Sequence, residues 1–167
     1  MLRSLLAAIA SFIAMAVAIA AMFLVVTMVL GIEGTLRPGE YWTSSTFNTT
    51  VLIGGTVISA MSGMLCFVIA KSCKPALAVG VVILGYGLYS AVQNEGKDDP
   101  PAREVRAESE SATDYTVRVL QEMAEVGKEP TWFAFANPFI GSFAFVAGAG
   151  VLGRSKSPST NRADPDD

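Results

Sequence analysis

Along the chain the apolar residues follow neither a two-residue alternation nor a narrow helical stripe. They fall into four blocks, Leu5–Ile32, Val51–Ala70, Pro75–Val92 and Trp132–Leu152, and none of these contains an Asp, Glu, Lys or Arg. About 20 consecutive apolar residues carry a helix across the hydrocarbon core of a bilayer. Three blocks have about that length, and the first exceeds it, so it must tilt or protrude. The pattern predicts an all-α integral membrane protein with four transmembrane helices in an antiparallel bundle, forming one membrane domain over residues 1–153. Arg3 ahead of the first block, with Ala18-Ile19-Ala20 inside it, resembles a secretory signal. The block is too long for a signal h-region, which runs about 7–15 residues, and reads as an uncleaved first span.

The connections differ from one another. Lys71-Ser72-Cys73-Lys74 is so short that blocks two and three are expected as a tight helical hairpin, with Pro75 at a helix start where its missing N–H costs nothing. The loop 93–131 between spans three and four changes character midway. Gln93–Ser111 holds Asp98-Asp99-Pro100-Pro101 and little that is apolar, and is expected to be a mobile acidic linker. From Ser111 to Val126 a capping box precedes Tyr115, Val119, Met123 and Val126 at helical spacing, which predicts a short amphipathic helix with Asp114 and Arg118 four residues apart and Gly127 as its C-cap. The polar face, with Asp114, Glu122 and Glu125 against Arg118, suits docking on protein better than on anionic headgroups. Residues 154–167, rich in Ser, Pro, Asn and Asp, read as a disordered tail.

Composition narrows the chemistry. The chain is 51% apolar and 16% charged, with a net charge of −3 and no basic patch, so nucleic acid is not an expected partner. Histidine is absent, which removes the side chain most used for neutral-pH proton transfer and for haem or catalytic zinc. Cys66 lies in an apolar block and reads as a packing residue, while Cys73 sits in the basic turn Lys71-Ser72-Cys73-Lys74, which reads chiefly as a juxtamembrane turn and secondarily as a setting for a modified cysteine. No catalytic, metal or cofactor residues are assigned, and the protein is not expected to be an enzyme.

Orientation rests on Lys and Arg near the spans. Arg3, Lys71, Lys74, Arg154, Lys156 and Arg162 fall on one side, and Arg37, Lys97, Arg103, Arg106, Arg118 and Lys128 on the other. The first set is packed into much shorter segments, which places both termini in the cytoplasm, with a bacterial inner membrane as the expected location. Tyr41, Trp42, Tyr89 and Trp132 all fall on the opposite, outer side.

Within the spans, Gly55, Ser59 and Gly63 put three small residues on one stripe, a candidate helix-packing face. Tyr115, Val119, Met123 and Val126 form a candidate docking face. Tyr86 and Asn137 are candidate polar groups of a cavity, and Asn137-Pro138 predicts a kink or a late start in the last helix. Asn48-Thr49-Thr50 matches a glycosylation acceptor but lies against a span. The expected role is structural or accessory: the protein sits in the lipid bilayer and binds a second copy or another membrane protein through its small-residue faces. The alternative is an oligomeric pore or passive carrier for a small neutral or lipid-like solute. The layout of four spans with a larger second outer loop resembles that of tetraspanins and claudins. The loop 93–131 has no cysteine and Trp42 has none beside it, so the cysteine signatures of both families are missing.

Overall fold

The computed structural model describes residues 2–104, 106–107 and 109–154. Five helices follow in order, α1 (Leu2–Thr35), α2 (Ser45–Ala70), α3 (Lys74–Glu95), α4 (Ala112–Val126) and α5 (Thr131–Arg154), with no strands beyond isolated bridges among the described residues. Four of them, α1, α2, α3 and α5, are long and apolar enough to span a membrane. The tail beyond residue 154 lies outside the described residues.

Each helix outruns its apolar block at one end or both, and at α2 capping rather than hydropathy sets the start. Ser44 caps α2, which starts at Ser45, six residues before Val51: the Ser44 hydroxyl accepts from the Phe47 N–H at 3.1 Å and donates to the Gly34 carbonyl. Lys71 closes α2 in the left-handed conformation, φ 58°, with its N–H on the Phe67 carbonyl. In α1 the break comes at Gly31, with φ 65° and ψ −179°, values that only glycine adopts cheaply. The last turn of α1 is thereby redirected, and Ile32 leaves the span to join Leu36 and Tyr41 in a separate apolar cluster. Of the kink or late start expected at Asn137-Pro138, the late start does not occur, since α5 begins at Thr131 and continues through Pro138.

Helix packing departs from a simple hairpin. The α2 and α3 helices share few contacts with each other, and each packs extensively on α5; α1 packs on α2 and only sparsely on α3. The reason lies in glycine positions. An added Cβ at Gly63 would overlap the Phe145 carbonyl, and one at Gly148 would overlap the Ala60 carbonyl, so α2 and α5 meet backbone to backbone. On its other side α5 meets α3 where Gly80 takes Val146 and Gly87 takes the Pro138 ring, with Ser142 Oγ donating to the Gly80 carbonyl at 2.9 Å. Cys73 Sγ lies 3.8 Å from the Ala149 carbonyl and so holds the short turn against α5 as well. A core of Cys66, Phe67, Val79, Phe145 and Ala149 fills the space between these helices.

Gly63→Leu is expected to cost about 3 kcal/mol, because two backbones must separate to admit the side chain. Gly55→Leu, at a position where an added Cβ meets nothing within 4 Å, should melt like the parent. Thermal unfolding of both variants in micelles, followed by circular dichroism, checks the contrast; equal melting points would mean that α5 does not lie against Gly63.

Candidate cavity and its outer cap

The sparse α1–α3 seam leaves a cavity of about 800 Å³ between the four long helices. Phe12, Met15 and Ile19 of α1 form one wall, Gly55 and Ser59 of α2 the back, and Ile83 and Tyr86 of α3 face α1 across the gap. Of the residues that α2 and α5 supply, Ser59, Ala134 and Pro138 are buried and Gly55, Asn137 and Gly141 partly so, whereas Phe12, Ala16, Ala20, Val82, Tyr86 and Ser90 are exposed. The mouth therefore lies between α1 and α3. Below it, an apolar groove of about 290 Å³ continues along the same seam between Ile9, Ile13 and Val79, sharing Phe12 and Val82 with the cavity.

The polar groups of the cavity gather toward one end. Tyr86, Ser90, Asn94, Asn137 and Glu129 line it, and the side chains of Tyr86, Ser90, Asn137 and Glu129 have no hydrogen-bond partner among the described residues. Asn94 is committed: its amide donates to the Glu129 carbonyl at 2.9 Å and accepts from the Glu129 N–H at 3.1 Å. That double bond pattern fixes the peptide of Glu129 at the end of α3 and leaves its carboxylate free. Burial pushes the Glu129 carboxyl above its usual range, and the charge of Lys97 pulls it partly back. Pro138 has no N–H for the Ala134 carbonyl, which loses its helical donor beside the same space.

Sequence patterning brought Tyr86 and Asn137 forward, and both line this cavity together with Gly55 and Ser59. Gly63 instead sits against Phe145, and Ser59 Oγ lies 3.8 Å from Met15 Sδ. Glu129 and Asn94 escaped notice because both fall outside the apolar blocks. The available signal was their position: each lies within three residues of a block edge, and α3 extends past its block to Glu95. Asn48 is fully buried with its amide on the Thr43 carbonyl at 3.4 Å, so it is not an accessible glycan acceptor.

Above the cavity the connections form a cap. The α4 helix is started by Ser111, whose hydroxyl accepts from the Asp114 N–H at 3.1 Å. Val119 is buried among Ile32, Leu36 and Tyr41, with Tyr115, Met123 and Val126 packed around them. Arg118 does not pair with Asp114 as the spacing suggested; it forms a two-point contact with Glu110, both bonds at 3.0 Å, and lies near Glu104 and Glu122. Glu122 in turn accepts from the Tyr41 hydroxyl, and burial together with that bond pushes the Tyr41 phenol up to about 12.

The acidic linker is also anchored, contrary to the loose segment its composition suggested. Arg103, nearly buried, grips both oxygens of Glu33 at 2.8 and 2.9 Å, and its N–H donates to the Gly39 carbonyl. Lys128 meets Asp99 at 3.2 Å and lies 5.3 Å from the centre of the Trp42 ring, which Arg37 also approaches at 5.5 Å.

Glu110 is held below the usual carboxylate range, chiefly by its hydrogen bonds to Arg118. A depressed folded value means that the pairing contributes at neutral pH and is lost as pH falls through that value. Hydrogen-exchange protection of α4, corrected for intrinsic rates, should therefore hold from neutral pH down to about 4.5 and decline below it. Glu110→Gln should show the lower protection already at neutral pH; a variant that keeps full protection would remove this pair from the docking of α4.

No protein-family model matches the chain, and neither a characterised protein nor a solved structure is significantly similar to it.

Proposed function

We propose that the protein is a multi-pass membrane protein that holds a lipid-like solute between its helices and acts as a passive carrier. One observation carries this reading: a cavity of about 800 Å³ that opens sideways between α1 and α3 and has unpartnered polar groups gathered at one end. A soluble ligand is normally admitted from water, whereas a mouth between two membrane-spanning helices faces acyl chains. Bundle cores are a usual place for such sites. The four long helices are taken as an up-and-down bundle, a reading supported by the approaches of α1 to α2 (Arg3 to Ile69, Met15 to Ser59, Met22 to Gly54) and of α3 to α5 (Gly80 to Ser142, Gly87 to Pro138), in which one number rises as the other falls. The second and fourth spans, α2 and α5, run the same way, with Ser59 beside Gly141, Gly63 beside Phe145 and Phe67 beside Gly153. The α4 helix is taken as an amphipathic element lying over the outer ends of the spans.

Both termini are placed in the cytoplasm, in a bacterial inner membrane. Arg3 Nε donates to the Ile69 carbonyl at 2.6 Å, which brings Arg3, Lys71 and Lys74 to one end with no described acidic residue beside them in sequence.

A second reading, an accessory protein that binds a second copy or another membrane protein, is favoured by α1. Its most apolar window is 6% buried, against 28% for each of the other three spans, so α1 rests on α2 along one side and leaves most of its apolar surface open. The two readings separate on one substitution. Gly55→Leu projects a side chain into the cavity without touching the outer surface of α1. It should abolish saturable binding and transbilayer movement of a fluorescent single-chain lipid in proteoliposomes, with crosslinked oligomers unchanged. Undiminished movement in the variant would count against the carrier.

A further inference from the structure

We propose that the cavity selects a single-chain cationic amphiphile, its ammonium group against the Glu129 carboxylate and its alkyl chain along the α1–α3 seam. This rests on the solute-binding reading and names the class of solute.

Three features converge on that class. First, Glu129 is the one charged residue among those lining the cavity, and its carboxylate has no hydrogen bond or ion pair among the described residues. A carboxylate brought out of water needs a cation or several donors, and here the unpartnered donors lining the same cavity are the Tyr86 hydroxyl, the Ser90 hydroxyl and the Asn137 amide. The charge of Lys97 acts on it, but Lys97 Nζ donates to the Gly127 carbonyl at 3.2 Å and forms no ion pair with Glu129. The charge is thus left for something that enters.

Second, the groups that share the cavity with that carboxylate suit an ammonium. Oxygen acceptors are offered there by Ser90, by the Asn137 side chain and by Ala134, whose carbonyl Pro138 leaves without its helical donor. The exposed Tyr86 ring adds a π face at the mouth. An anionic headgroup would meet a like charge and no cation on the lining.

Third, the space is long and becomes apolar away from Glu129. From Asn94 at the polar end to Ala78 in the lower groove, α3 rises about 24 Å at 1.5 Å per residue. Only apolar side chains line the lower groove. A small neutral solute would occupy a fraction of this length, whereas one extended alkyl chain fills it.

The test uses the full chain in phosphatidylcholine nanodiscs with two photoactivatable probes of equal length, a hexadecyl trimethylammonium and a hexadecanol, each carrying a diazirine on the chain. Site-resolved labelling of α1 and α3 is read by mass spectrometry as a function of probe concentration. The ammonium probe is expected to saturate the seam at about tenfold lower concentration than the alcohol, the size of effect one partly buried charge contact supplies. Glu129→Gln should erase that gap while leaving labelling by the alcohol unchanged, and Glu129→Asp should retain most of it. Alcohol labelling also reports that the Gln variant is folded. Equal saturation by both probes in the parent protein, or a gap that survives Glu129→Gln, would overturn the assignment of a cationic headgroup and leave the solute-binding reading intact. Failure of both probes to label the seam saturably in the parent protein would overturn both readings.

Discussion

The backbone-to-backbone approach of α2 and α5 at Gly63 and Gly148 decides where the other long helices can go. In a bilayer, lipid tails are as apolar as leucine, so helices gain by meeting closely rather than by leaving the solvent. Once α5 is seated on α2, the turn at 71–73 can deliver α3 only to the far flank of α5. The first helix then has α2 to rest on and little else. The open α1–α3 seam is what remains after α5 has taken its place, and the cavity is a consequence of that order of preference.

The second constraint acts at the ends of the spans that carry the long connections. Irregular backbone is tolerated near a membrane only where its polar groups find partners. Segment 36–44 finds them in Lys128, Thr35 and Arg103: the Thr43 N–H bonds the Lys128 carbonyl, the Ser44 N–H bonds the Thr35 carbonyl, and the Gly39 carbonyl accepts from Arg103. Charged side chains that look like solvated linker in the sequence are used in pairs, Arg103 with Glu33, Arg118 with Glu110 and Lys128 with Asp99. The cap is therefore held by local polar geometry, and the spans below it by close apolar contact.

These two kinds of stabilisation explain what could be read from the residues. The four long helices follow from uninterrupted apolar length, which has few alternative meanings. The helix at 112–126 follows from Ser111 and the spacing of Val119, Met123 and Val126. Which helix packs on which was not legible, because Gly55, Ser59 and Gly63 share one stripe yet Gly63 alone meets a backbone, and Gly55 faces open space. The partner of Arg118 was missed because i,i+4 spacing favours Asp114, while Glu110, before the N-cap, lies within reach of the guanidinium in three dimensions. Glu129 was passed over since block edges drawn by hydropathy stop at Trp132.

Asn94 bonds both polar groups of the Glu129 peptide, in the manner of one rung of a β-ladder built from a side chain. The end of α3 and the start of α5 are thus stitched together at the polar rim, whereas the seam between α1 and α3 has no equivalent tie. Any change in the volume between the helices must accordingly be taken up on the α1 side. The four long helices resemble a book bound along one edge, with α1 as the cover that can lift.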